Sequence, residues 1–479
     1  MIGRFALVLH SHLPWLRGHG TWPVGEEWLN QAIATSYVPV LEVLQRLAAN
    51  GHRNLVTVGI TPVLASQLDD RYCLEQAGAW ANDWLWRTQE LASCDPVAAG
   101  REARQATATL DALRTAYSAG FSPAFRQLAD AGVIELLGGP ATHPFQPLLE
   151  PRVASFGLRT GLDDHTLRFG SRPAGIWAPE CGYRPGLESI YEQLGVTHFL
   201  LDGPTMLHVG AATHSAWTLG DTGVIAFGRD LEVTYRVWSP RRGYPGHSEY
   251  RDFHVVDEYG FRTRRVTSTT VHGQDKAPYD EAAAMAAVRR DAQDFVDVVR
   301  TRLLEQSKQC PDPLVVAAYD TELFGHWWHE GPAWLEEILT LLPQAGIEVT
   351  TLGAARDRVA GRIDPQSGSW GTGKDFRVWA NDAVSDMVDD NEDLMRHWLK
   401  LADSRSRDPR QADLATQALL ALSSDWAFMV SKDSAAGYAR ERHAGHHVRF
   451  QRIAAAIETG RPAPPVTDWP FPHIEPRLL

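Results

Sequence analysis

The chain is poor in several things, and each scarcity excludes a class of function. Among 479 residues there are four cysteines, at 73, 94, 181 and 310, with no CxxC pair and no dense framework. That count excludes a disulfide scaffold and favours a reduced, cytosolic setting. No window approaches the roughly 18 apolar residues of a membrane span. The first apolar run, Phe5 to Leu9, is too short for a secretory leader and lacks a basic start. Basic charge is also scarce: 46 Lys and Arg stand against 59 Asp and Glu, a net charge of −13. Nucleic acid and anionic membrane are therefore not expected as partners, because phosphates need a basic surface. Neutral polymers remain open. The phosphate-cradling GxxxxGK[ST] loop, the GxGxxG turn after a strand and the GxSxG elbow are all missing, which leaves nucleotide chemistry with little support and offers no serine elbow. Internal repeats and low-complexity tracts are missing too.

Tryptophan is not scarce. Its 17 copies exceed phenylalanine at 16 and tyrosine at 12. Indole rings stack on the apolar faces of sugars, although a tryptophan-rich core would give the same count.

The most informative stretch is Ala317 to Trp328, AAYDTELFGHWW. A short run of strand formers, Pro313 to Val316, leads to Asp320, Glu322, His326 and two tryptophans. A second stretch, Gly175 to Tyr183, has the same grammar: an apolar run, Trp177, then Glu180 between Pro179 and Gly182. Proline and glycine break the ladder there and turn a side chain into a cleft. Either carboxylate alone could be a solvated strand end. Two of them at strand ends, brought together by a curled sheet, are what glycoside hydrolysis needs.

Strand signals recur at Phe5–Leu9, Leu55–Ile60, Val133–Leu137, Val196–Leu201, Val224–Phe227 and Gly346–Leu352, with helical periodicity at Val38–Leu47 and about Tyr279–Glu305. Seven or eight strands alternating with helices predict a parallel α/β barrel, with catalytic residues at the strand C-ends. From Cys73 to Gly132 the spacing is helical, so an inserted helical subdomain is expected over 67–132, with the barrel formed by 1–66 and 133–365. Beyond Asp364 comes a glycine-rich loop, then helical patterns near 383–402, 410–422 and 434–459. A C-terminal helical domain is expected over 366–479, ending in an extended tail from Arg461.

His10 and His12 lie two apart, so a regular strand points both to one face. They either orient sugar hydroxyls, fill structural positions, or bind zinc with His143, Asp202 or Asp320.

Three motifs, HSHLPW at 10–15, WAPECGY at 177–183 and AYDTELFGHWW at 318–328, resemble the signatures of glycoside hydrolase family 57. ATHPFQPLL at 141–149, FGRD at 227–230, SWGTGKDFRVWAND at 369–382 and SSDWAF at 423–428 are similar to that family's branching-enzyme subgroup. The resemblance implies an incomplete (β/α)7 barrel with an inserted helical subdomain and a C-terminal α-helical domain. It also implies a retaining mechanism with no metal or cofactor. Glu180 matches the nucleophile and Asp320 the general acid/base. His10, His12 and His143 match the subsite that holds the cleaved sugar, and Trp370, Trp379 and Trp426 match cleft aromatics. Trp22, Trp177, Arg229, Asp230 and Asp425 are expected to bind substrate. So is Tyr244, from the Gly- and Pro-rich loop Trp238–His254, as a ring covering the reaction intermediate. The implied activity is α-1,6 branching of α-1,4-glucan, with donor and acceptor glucan chains as partners and a monomer expected. A 4-α-glucanotransferase, an amylase-type hydrolase, a metal-dependent deacetylase or mannosidase-like barrel, and a glycan-binding protein are the alternatives.

Overall fold

A computed structural model describes residues 1–21, 24–239, 243–405, 407–463 and 465–479. Among the described residues ten strands are present: β1 Gly3–Ser11, β2 Val56–Ile60, β3 Ile134–Leu137, β4 Gly175–Ile176, β5 His198–Leu201, β6 Ala216–Leu219, β7 Ile225–Gly228, β8 Leu314–Asp320, β9 Ile347–Thr350 and β10 Val359–Ile363. β8, β1, β2 and β3 run side by side in parallel, and β4, β5 and β7 continue in a second parallel set. A bridge between Gly138 and Ile176 joins the two sets into one curl. On the far side, the Asp230 N–H donates to the Val316 carbonyl at 2.8 Å and draws the end of β7 against β8. Seven parallel strands thus wrap around an interior, as the sequence suggested. β6 and β10, which it did not suggest, extend one edge, and β9 pairs with the first half of β1.

The strand runs are apolar because both faces are covered: every residue of β1 is buried. One face of β1 packs against helices Glu281–Gln306 and Gly331–Gln344 through Phe5, Leu7, Phe295 and Trp334. The other face closes the barrel interior through Ala6, Val8, Val316, Ala318 and Trp177.

The segment expected to be helical between β2 and β3 forms three helices, Arg71–Leu91, Pro96–Arg114 and Ser122–Asp130. Asp70 and Asp95 cap the first two by accepting from Cys73 N and Ala98 N. Cys73, Ala77, Tyr117 and Phe125 join the main core, so this insertion is continuous with the barrel packing. The C-terminal helices are Ser385–Arg405, Gln411–Ala421 and Ala436–Thr459, near the expected bounds, with a further short helix, Ser424–Ser431. The tail from Arg461 holds a short 3-10 turn, Pro476–Leu478, and buries Phe471 and Ile474 on the C-terminal core. Helix Pro151–Phe169, absent from the sequence reading, ends at Gly170 in the left-handed conformation (φ 82°).

Helices Glu26–Ala32 and Val38–Ala49 are joined by a π-helical turn, Ile33–Tyr37. It aims Ser36 and Tyr37 at the turn that follows Asp320, with Ser36 Oγ donating to the Thr321 carbonyl at 2.9 Å. Such wide turns often mark functional sites.

Candidate active site

Asp320 ends β8 and His10 nearly ends β1, and the parallel register makes them direct neighbours. Gly59 lies opposite His10 on β2. From the other side β4 delivers Trp177, whose ring lies flat against His10 (centroids 4.3 Å apart, planes at 11°).

After β4 the chain turns through Pro179–Cys181, where Glu180 (φ 61°) and Cys181 (φ 47°) are both left-handed without being glycine. That conformation costs roughly 1–2 kcal/mol per residue. The surrounding contacts hold it in place and turn the carboxyl of Glu180 inward. Its Oε2 accepts from the Trp370 indole at 2.7 Å, and its Oε1 accepts from Ser424 Oγ at 3.0 Å. The Trp370 backbone N–H also donates to the Glu180 carbonyl, at 2.8 Å. Both donors come from beyond residue 365, so the C-terminal region completes the site.

The histidines form a chain behind this carboxylate. His143, itself left-handed (φ 56°), places Nδ1 2.9 Å from Ser424 Oγ and Nε2 3.0 Å from His10 Nε2. One arrangement of protons satisfies all of these contacts. Ser424 donates to Glu180, His143 Nδ1–H donates to Ser424, and His10 Nε2–H donates to His143 Nε2. His10 Nδ1 then stays unprotonated, and it is buried without a partner. Both rings are neutral in this arrangement, in keeping with burial, which drives their pKa values well down, helped at His10 by His143 and His12 and at His143 by His12.

His12 stacks on His143 (3.9 Å between centroids) and reaches Thr61 Oγ1 at 2.9 Å and Asp425 Oδ2 at 2.8 Å. Burial works against its charge, but the Asp425 carboxylate outweighs it and raises the pKa. His12, His143 and Asp425 bring possible metal-ligand atoms within 4.8 Å of one another. Yet all four ring nitrogens of the two histidines already have hydrogen-bond partners in the protein, so the cluster reads as a network rather than a vacant ligand set. Asp202, another of the ligands considered, is tied to Arg229 at 2.7 Å and Lys374 at 2.8 Å.

That pairing serves Trp370. The Arg229 guanidinium lies 5.3 Å from the Trp370 ring centroid, and Lys374 also donates to the Trp370 carbonyl at 3.1 Å. Asp202, Arg229 and Lys374 thus form a charged cradle that fixes the indole against Glu180.

Burial lifts the pKa of Glu180 to about 7, opposed by its Trp370 hydrogen bond, and lifts Asp320 to about 6, opposed by His12 and Arg229. The Asp320 charge adds a smaller upward push on Glu180, and between these two values the two carboxyls together hold about one proton. The one-unit difference puts the shared proton on Glu180, but the fixed donors argue otherwise. Both Glu180 oxygens accept hydrogen bonds. Among the described residues, no side chain or backbone group bonds the Asp320 carboxyl. The charge therefore belongs on Glu180 and the proton on Asp320. A fixed carboxylate and a protonated carboxyl in one site have the chemistry of a nucleophile and an acid. Beside them Glu322, pushed up to about 8 by burial and by Asp320, accepts from Tyr37 Oη and from the His12 N–H.

Several expected substrate contacts lie elsewhere. Asp230 is 1% exposed; it caps helix Leu231–Val237 through Glu232 N and Val233 N and pairs with Arg302 at 2.9 Å. Trp379 is buried against Phe145 (4.3 Å, 11°), and Trp426 is buried with its indole donating to the Leu420 carbonyl at 2.9 Å. Tyr244 is 2% exposed, donates to Asp294 Oδ2 at 2.6 Å and packs on Trp328 and Trp334. These rings serve cores, where apolar area is worth most. Trp177 is buried beneath His10 and supports it. Trp22 lies outside the described residues. Ser424 and Thr61 were missed. The run Ser423-Ser424-Asp425 at a helix start was the available signal for the first, while Thr61 carried none.

Residues 6–363 match the model of glycosyl hydrolase family 57. The chain belongs to glycoside hydrolase family 57. Within the family, residues 388–478 match the C-terminal model of 1,4-alpha-glucan branching enzymes. The chain is 49% identical to a probable 1,4-alpha-glucan branching enzyme of Mycobacterium tuberculosis, over 96% of this chain and 93% of that one. It is 31% identical to the 1,4-alpha-glucan branching enzyme of Thermococcus kodakarensis, over 95% of this chain and 74% of that one. Crystal structures of the family 57 branching enzymes from Thermococcus kodakaraensis (TM-score 0.91, 31% identity, 95% of this chain and 91% of that one) and Pyrococcus horikoshii (0.92, 30%, 100% and 95%) share its fold. Among the described residues, no helix is long and apolar enough to cross a membrane.

Proposed function

We propose that this family 57 protein is a 1,4-alpha-glucan branching enzyme that works by retaining double displacement. Glu180 attacks the anomeric carbon of an α-1,4-linked glucose while Asp320 gives its proton to the departing glycosidic oxygen. Asp320, now a carboxylate, takes the proton from a 6-hydroxyl of an acceptor chain. That oxygen displaces Glu180 and forms an α-1,6 branch. His10, His12 and His143 position the sugar and the nucleophile, and no step calls for a metal.

The observation that carries the reading is the grip on Glu180 by Trp370 and Ser424. Both donors come from beyond residue 365, and Ser424 lies within residues 388–478, which match the C-terminal model of branching enzymes. For transfer to outrun hydrolysis, a positioned hydroxyl must beat water, and orientation can supply an effective molarity on the order of 10⁵ M. Donor and acceptor α-glucan chains are the partners. Four free cysteines, two of them buried, suit a reduced cytosol.

The test is incubation with amylose, following α-1,6 linkages by proton NMR beside reducing ends. Branching gives α-1,6 signal with few new ends. Reducing ends without α-1,6 signal would identify a hydrolase, and new α-1,4 chains alone a glucanotransferase.

A further inference from the structure

A cavity of about 380 Å³ opens beside the turn that follows Asp320. Helices Glu26–Ala32, Arg71–Leu91 and Pro96–Arg114, segment 251–262 and the turn 325–329 wall it. None of Glu180, Asp320, His10, His12 or His143 contributes to its lining. Its volume falls within the roughly 300–1,000 Å³ of ligand pockets.

Its walls combine flat rings with planar polar groups of both signs. Trp80, Phe253 and Trp327 are each only half-buried. Trp80 is fixed by its indole, which donates to Glu27 Oε1 at 2.9 Å, and Phe253 by the Arg262 guanidinium 4.5 Å from its centroid. Trp327 belongs to the turn that starts at Asp320, with its N–H on the Glu322 carbonyl at 3.2 Å. Most charges here are already paired: Glu102 with Arg251 at 2.7 Å, Asp83 with Arg87 at 2.8 Å, and Asp252 with Lys276. Among the described residues, Glu27 has no cation and Arg262 no carboxylate within ion-pair distance. The lining therefore keeps one acceptor-rich and one donor-rich group for a ligand. An anion would meet four carboxylates, and a cation would meet three guanidiniums. A neutral polyhydroxyl chain with apolar CH faces satisfies rings, acceptor and donors together.

We propose that this cavity binds a segment of an α-glucan chain away from the bond being cleaved. The choice of glucan as ligand rests on the branching reading above. Such a site raises the local concentration of long chains at the catalytic carboxyls by tethering, with no gain for short ones.

The test uses full-length Trp80→Ala. With amylose, KM is expected to rise about 5-fold, the worth of one aromatic contact, with kcat unchanged. Turnover of 4-nitrophenyl α-maltoside, too short to fill both places, is expected to stay the same. In a full-length Glu180→Gln background, isothermal titration with maltoheptaose is expected to show the same 5-fold weakening. Glu27→Gln, at the lining carboxylate left without a cation, is the second variant should Trp80→Ala not fold, and the same direction is expected of it. Unchanged amylose KM and maltoheptaose affinity in the folded variants would overturn the inference and leave the branching reading standing. A wild type that forms no α-1,6 linkage would overturn the branching reading, while the titration would still decide the cavity.

Discussion

The indole N–H of Trp370 lies 2.7 Å from Glu180 Oε2, and the backbone N–H of the same tryptophan holds the carbonyl of the same glutamate. An indole can only donate, so this contact favours the charged form of Glu180. Trp370→Phe should therefore raise the Glu180 pKa and shift the acidic limb of the pH profile of kcat/KM upward. At pH 7 the rate should drop by roughly tenfold, the worth of one hydrogen bond to a charge, with partial recovery at higher pH. An unshifted acidic limb would count against the role given to Trp370.

The carboxyl pair sets the pH dependence of the wild type. With Asp320 lifted to about 6 and Glu180 to about 7, the one-proton state prevails between those values. Activity should fall below about 6 as the nucleophile is protonated, and above about 7 as the acid loses its proton. Glu180→Gln should lose several orders of magnitude in rate while keeping its melting temperature. Asp320→Asn should be partly rescued by azide on a substrate with a good leaving group, since azide needs no base. Near-normal turnover in either variant refutes the assignment.

Because the His12 and His143 nitrogens are already bonded within the protein, exhaustive chelation should leave branching unchanged. Metal analysis should find no stoichiometric ion. Loss of activity on chelation, restored by zinc, would show instead that the cluster is a metal site.

Tyr244 offers a sharper contrast. Were its ring a cover for the intermediate, Tyr244→Phe would preserve function fully and Tyr244→Ala would raise hydrolysis. From its buried place on Trp328 and Trp334, Tyr244→Phe should cost about 1 kcal/mol through the lost Asp294 bond. Tyr244→Ala should cost about 3–5 kcal/mol as a core cavity. In both, folded enzyme should keep its ratio of α-1,6 linkages to reducing ends. Thermal unfolding beside product NMR separates the two accounts.

Gly325 stands five residues after Asp320 with φ 105°, and a Cβ there would come within 1.7 Å of the Thr35 carbonyl oxygen. Gly325→Ala should destabilise the protein by roughly 3 kcal/mol, combining left-handed strain with overpacking. It should also impair catalysis by displacing the turn that carries Glu322. A melting temperature within a degree of wild type would contradict this placement.

The sequence by itself determined the strands and the polar residues at their ends. Short apolar runs stopped by glycine, proline or a carboxylate are local patterns, so Glu180, Asp320 and the His10–His12 pair were legible before any packing was known. The helical stretches could be read for the same reason, although the short, partly exposed β6 and β10 and helix Pro151–Phe169 escaped. Only the tertiary structure decided which of many tryptophans serves the site. Periodicity tells which side of an element is apolar, not what comes to cover it. Trp370 faces Glu180 because Asp202, Arg229 and Lys374 converge from three separate segments, whereas Trp379 and Trp426 are covered by Phe145 and by neighbouring helices. Asp230, a plausible site carboxylate in sequence, is committed to a helix start and to Arg302, 72 residues away. Ser424 reaches Glu180 across 244 residues. Contacts of that range depend on how helices seat against the barrel, and no local pattern encodes them.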